Sequence, residues 1–285
     1  MTNIQMDGHG RKHIVKKSGK ALKWGLLVIF ILLLIAGALI GRKFLSFEKT
    51  QNEQINTMKG DIQFLQEKLS SNHNVEVIKY SEDEYNYLAI GNSISKHSIN
   101  DYWWNEIGMA ATSEENDYYH IVVEHLLKTR DKVNNYVRNF SVWERLSSDR
   151  SIALELMDVY LSAELDLITI QLGENASVLG TFEGDYEELI NYIKDKAPKA
   201  QIVVVGDFWS NGERDAFKEM AAKNCGVSYA SISEIKDAKE YQCGIGTIVY
   251  GSDGQSHTIE HAGVAAHPGN NGMRYIAESI ISVID

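Results

Sequence analysis

Residues 24–41, from Trp24 to Gly41, run for 18 positions without a charge. As a helix rising 1.5 Å per residue they would span roughly 27 Å, close to the hydrocarbon thickness of a bilayer. No face of the segment is polar, which sets it apart from an amphipathic core helix. Arg11, Lys12, Lys16, Lys17, Lys20 and Lys23 precede it, and only Arg42 and Lys43 follow closely. That bias predicts a cytoplasmic N-terminus and an exported body. A cleaved signal peptide would carry a shorter apolar region, about 7–15 residues, and a small-residue cleavage site. Here Arg42-Lys43-Phe44 follows directly. Residues 24–43 therefore read as an uncleaved transmembrane signal anchor behind a cytoplasmic basic tail, 1–23. The expected location is a cell membrane crossed once, with the body extracytoplasmic.

Charge sharpens this division. Residues 1–43 hold eight Lys/Arg and one acid, Asp7, whereas the chain as a whole carries a net charge of −11. A basic head precedes an acidic body. Such a body lacks the basic face of a nucleic-acid binder, so no nucleic-acid partner is expected. Two cysteines cannot build a four-cysteine zinc site, and no metal-ligand spacing emerges among the histidines. No metal or other cofactor is expected. Cys225 and Cys243 would lie on the exported side, where a disulfide is permitted.

Residues 44–74 are polar, with Ile55, Met58, Ile62, Leu65 and Leu69 spaced as the seam of a short coiled coil. They predict a helical stalk, and a homodimer through it is one possible consequence. From residue 75 to 285 short apolar runs alternate with amphipathic stretches. Strands are expected at 87–90, 166–172, 201–206 and, more weakly, 227–230. Helices are expected at 117–138, 150–163, 184–197, 211–224 and 270–284, with a hairpin within 247–259. Alternating strands and helices imply an α/β fold: a parallel sheet with helices on both faces, in three layers. In such sheets ligands bind beyond the carboxyl ends of the strands.

Three pieces stand at such places. Gly91-Asn92-Ser93 follows the first strand, Gly173-Glu174-Asn175 follows the second, and His267-Pro268 precedes the last helix. Each alone is an ordinary turn, cap or loop. Together and in this order they resemble the SGNH/GDSL hydrolase superfamily, over roughly residues 84–285. The resemblance implies a flavodoxin-like three-layer fold and a serine esterase. It implies Ser93 as nucleophile, His267 as general base, and Gly108 and Asn175 as oxyanion-hole donors. The chemistry suits these residue types. A serine hydroxyl needs a neighbouring imidazole to take its proton, and the tetrahedral oxyanion needs fixed N–H donors.

The chain departs from the family's pattern twice. Asn92 replaces the usual Asp of the first block, and Val264 stands where the last block carries Asp three residues before the histidine. Either a backbone carbonyl orients His267 in a Ser-His dyad, or a distant acid, Asp253 or Glu260, substitutes, or the site is weak or inactive. Trp103-Trp104 reads equally as a sugar-stacking surface or as core, and Asp207-Phe208-Trp209 follows the third strand toward the same edge. The expected substrate is a small ester or an acylated carbohydrate, with O-acetyl groups on a cell-surface glycan as the leading case. Two alternatives are an acyltransferase on the same fold and a non-catalytic glycan-binding scaffold.

Overall fold

A computed structural model of the chain describes residues 3–6, 12–15, 78–146 and 149–284. The expected anchor, 24–43, and stalk, 44–74, lie outside the described residues. Among the described residues no helix is long and apolar enough to cross a membrane. The chain divides into two units, Met1–Lys59 and Gly60–Asp285. In the first, β1 (Asn3–Met6) and β2 (Lys12–Val15) pair antiparallel.

The second unit contains, in chain order, β3 (Tyr85–Gly91), α1 (Tyr118–Leu127), β4 (Val133–Asn139), α2 (Ser141–Arg145) and β5 (Leu167–Gln171). There follow α3 (Phe182–Lys196), β6 (Gln201–Val205), α4 (Arg214–Cys225) and β7 (Ser228–Ala230). The short hairpin β8 (Ile248–Tyr250) and β9 (Ser256–Thr258), then α5 (Ala262–Ala265) and α6 (Asn270–Ile281), complete it. The five strands β3 to β7 form a parallel sheet in the order β4-β3-β5-β6-β7. That is the 2-1-3-4-5 order of flavodoxin-like sheets.

The strand sequences explain why both faces are covered. On β3, Tyr87 and Ala89 point into one apolar cluster and Leu88 and Ile90 into the other. On β6, Val203 and Val205 alternate with Ile202 and Val204 in the same way. Apolar residues at every position suit a strand buried on both faces, as parallel sheets require. Residues of α1 and α6 close the first cluster, and residues of α3 and α4 close the second.

Two expectations need correction, and the pairing of the two cysteines, left open by the sequence, is answered. The predicted helix 117–138 ends at Leu127, and Val133–Asn139 is an edge strand instead. Its Asn134, Asn135 and Arg138 are tolerated because an edge strand is only half covered. Residues 150–163 hold a short 3₁₀ segment, Ser151–Met157, rather than an α-helix. Cys225 and Cys243 are free thiols.

Candidate active site

The sheet order reverses between β3 and β5, the place where sheets of this kind form a crevice at their strands' carboxyl ends. Gly91 ends β3 there. A Cβ at this position would lie 1.8 Å from Ser95 Oγ and 3.0 Å from the Gln171 carbonyl, so only glycine lets the next turn curl so tightly. The turn closes with Ser95 and Lys96 donating their N–H groups to the Asn92 carbonyl, and it carries Ser93.

Ser93 Oγ lies 2.9 Å from Nε2 of His267, which comes from the loop between α5 and α6. His267 Nδ1 lies 2.7 Å from the Gly263 carbonyl, a pure acceptor, so the ring proton sits on Nδ1. Nε2 is then left with a lone pair facing the serine hydroxyl. The Trp209 ring meets the imidazole edge-on at 4.9 Å, and its Nε1–H donates to the Ala266 carbonyl at 3.0 Å, pinning the loop. Burial pulls the His267 pKa down from 6.5 to about 4. The Gly263 hydrogen bond opposes this, and nearby His97 and His261 add to it. The imidazole is thus neutral at pH 7.

The structure does not bring Asp253 or Glu260 to His267. Asp253 pairs with His257 at 2.9 Å, and Glu260 is exposed. Val264 is buried in the apolar cluster below α5. The group on Nδ1 is therefore a main-chain carbonyl.

Gly108 is also displaced from the place expected for it. Its N–H points to Asp117 Oδ2 at 3.3 Å, and Asp117 also caps α1 by accepting from the His120 N–H at 2.8 Å. The loop instead approaches the serine one residue later, where the Met109 N–H donates to the Ser93 carbonyl at 2.8 Å. The next residue, buried Ala110, adopts φ = 79°. For an alanine that conformation costs about 1–3 kcal/mol and is held only where the surroundings impose it. Neither the Ala110 nor the Ser93 N–H donates to any described residue. No sequence signal marks Ala110, because the run Ala110-Ala111-Thr112 lacks the glycine such a backbone usually shows.

Behind the crevice lies a corner dense in buried charge. Glu144, on α2, is 1% exposed and accepts from Asn92 Nδ2 (2.9 Å), from the Gly173 N–H, and from Asn175 Nδ2 (2.6 Å). Gly173 has φ = 139°, open to glycine but strained for other residues. Asn92 gives its second amide hydrogen to Glu174 at 2.7 Å, while its oxygen accepts from the Ile94 N–H. Glu174 also accepts from Gln171 Nε2 at 2.6 Å. Beyond it, buried Asp207 pairs with Arg214 and with Lys218 at 2.8 Å. Three carboxyls thus face two cations. Burial raises Glu144 and raises Glu174 to about 7, with the Asp207 charge pushing Glu174 further up. These contacts explain why an asparagine suits position 92. An aspartate at 92 would offer two acceptors to two carboxyls, where the asparagine offers two donors.

The tryptophan pair divides. Trp103 is buried in the core, whereas Trp104 stacks on His257 at 4.3 Å. Tyr102, 40% exposed, stacks on His261 at 4.4 Å, six residues before the catalytic-candidate histidine. Among the described residues no group of three His, Cys, Asp or Glu side chains is placed to hold a metal ion.

No protein-family profile matches the chain, and no curated protein matches it. Several solved structures are similar. One is a GDSL-like lipase from Bacteroides ovatus, at TM-score 0.47 and 16% identity over 70% of this chain and 97% of that one. Another is a two-domain esterase active on acetylated mannans, at 0.45 and 16%, over 70% and 48%. A third is a family two carbohydrate esterase from Clostridium thermocellum in complex with cellohexaose, at 0.45 and 16%, over 73% and 65%. These three similar structures are thus a GDSL-like lipase and two carbohydrate esterases.

Proposed function

We propose that the chain is a serine esterase working through a Ser93–His267 dyad. The observation that carries this is the 2.9 Å Ser93–His267 contact, with the imidazole tautomer set by Gly263, at the sheet's switch point. Ser93 Oγ attacks the ester carbonyl carbon while its proton passes to His267 Nε2. The oxyanion is met by the N–H groups of Ser93 and Ala110 and by the second amide hydrogen of Asn175. Collapse releases the alcohol, which takes the proton from Nε2, and leaves an acyl-serine. Water then attacks the acyl carbon while one of its protons passes to His267 Nε2, and collapse breaks the bond to Ser93 Oγ, releasing the carboxylic acid as Nε2 returns the proton to the serine. A carbonyl dipole steadies the imidazolium less than a carboxylate would, so this base is weak and neutral over a wide pH range.

The stacked pairs Tyr102–His261 and Trp104–His257 support a ring-shaped substrate, and the favoured reading is an O-acetylated glycan. The uncharged run 24–41 behind six cations supports anchoring in the cell membrane with the body outside. Carbonate washing and external protease test that arrangement, and release of a soluble chain starting near residue 44 would sink it.

The test of the activity uses the full chain, p-nitrophenyl acetate and a fluorophosphonate probe. The wild type should hydrolyse the ester and take label at a single serine, and Ser93→Ala should abolish both. Labelling at another serine, or no labelling and no hydrolysis by the folded wild type, would overturn the assignment.

A further inference from the structure

We infer that Glu144 is a positioning residue that holds the Asn175 amide in the orientation the oxyanion requires, joining the two strand ends of the crevice. This rests on the reading of Asn175 as an oxyanion donor. Nothing in the three sequence blocks points to residue 144. It lies on a five-residue helix after the edge strand, outside all of them.

The environment of Glu144 is the first argument. A buried carboxylate normally requires a paired cation, because desolvation costs several kcal/mol. Among the described residues no cation hydrogen-bonds Glu144, and its partners are three N–H donors. All three come from the segments that build the site: Asn92 beside Ser93, and Gly173 and Asn175 after β5. A carboxylate that only filled space would not collect its donors from these two turns.

The second argument is the chemistry of an amide. Asn175 Nδ2 carries two hydrogens, and Glu144 Oε2 takes one at 2.6 Å. Against the upward pull of burial, the three N–H donors and the nearby Lys218 charge favour the ionised form of Glu144, which only accepts, so the nitrogen of Asn175 faces it and the amide oxygen turns away. The remaining hydrogen is thereby fixed as a donor. Without Glu144 the amide could turn over and present its oxygen to the oxyanion, exchanging attraction for repulsion.

The third argument is the match between Asn92 and Glu144. Asn92 bridges Glu144 and Glu174, one hydrogen to each. The acid absent from position 92 is thus supplied from α2, and the amide needed to hold it stands at 92.

The test compares Glu144→Gln, Asn175→Ala and their combination in the full chain with p-nitrophenyl acetate. Glu144→Gln keeps the shape but sets an NH₂ group against the Asn175 NH₂. It should lower kcat about 10²–10³-fold, the usual cost of one oxyanion donor, with KM within a few fold. The double variant should be no slower than Asn175→Ala, because both changes remove one interaction. Losses that multiply, or full activity of Glu144→Gln beside a crippled Asn175→Ala, would overturn the inference. A second arm reads thermal unfolding and does not depend on activity. Asn175→Asp sets two acceptors face to face and should lower Tm, and adding Glu144→Gln should restore it by returning a donor to the pair. Failure of that rescue would also overturn the inference. Unchanged kcat in Asn175→Ala, or an inactive wild type, would instead sink the underlying reading, and the Tm rescue would still decide the contact.

Discussion

The two sides of the crevice are made of opposite materials. His267 sits against Trp209, above the apolar cluster that contains Val264, and its Nδ1 faces a carbonyl. Asn175 sits against Glu144, with Glu174, Asp207, Lys218 and Arg214 behind it. The His267 side is apolar, and the acids crowd the other side. A neutral base needs no charge to stay neutral, whereas a side-chain amide needs a strong acceptor to stop it turning over.

The largest effect should come from breaking the apolar side. His267→Ala should lower kcat about 10²–10⁴-fold against p-nitrophenyl acetate, the usual range for general-base help. Retention of wild-type turnover by a folded variant would remove His267 from the mechanism.

Stability against pH separates the two sides by sign. The His267 pKa falls from 6.5 to about 4 on folding, so its contribution is present above 6.5 and is lost as pH falls through about 4. The Glu174 pKa rises from 4.5 to about 7, so its contribution is present below 4.5 and is lost as pH rises through about 7. Between roughly pH 4.5 and 6.5 the two oppose each other, each on the order of a few kcal/mol. Relative to wild type, Glu174→Gln should make urea midpoints climb with pH across that window, and His267→Ala should make them fall. Identical slopes in both variants would contradict the division.

A smaller effect is expected where the two sides meet at the loop after β3. Ala110→Gly should raise Tm, corresponding to about 1 kcal/mol, because strain of about 1–3 kcal/mol is relieved against the entropy cost of a glycine. A lower Tm would argue against a positive φ at this residue. The smallest effect is expected from the distant acids. Asp253→Asn and Glu260→Gln should each leave kcat within a few fold, and a large loss in either, with the fold retained, would rule out the dyad.

The sequence was legible where a local pattern matches a local demand. Strands β3, β5 and β6 were visible because a strand buried on both faces must be apolar at successive positions. The Ser93, Asn175 and His267 segments were visible because turns at strand ends and before a helix carry recognisable residues. The edge strand β4 was read as helix, since its exposed side relaxes the demand for apolar residues.

By itself, then, the amino-acid sequence determined the α/β alternation, the acidic body behind an uncharged segment, and the three turns that carry Ser93, Asn175 and His267. Only the tertiary structure decided that Gly263 orients His267, that Gly108 serves the cap of α1 while Ala110 takes the positive φ, and that Glu144 supplies the acid beside Asn92 and Asn175. The physical reason is range. A strand or turn is selected by neighbours a few residues away, whereas Glu144 meets Asn92 and Asn175 across 52 and 31 residues of chain. Such a contact exists only once the sheet has brought its strand ends together.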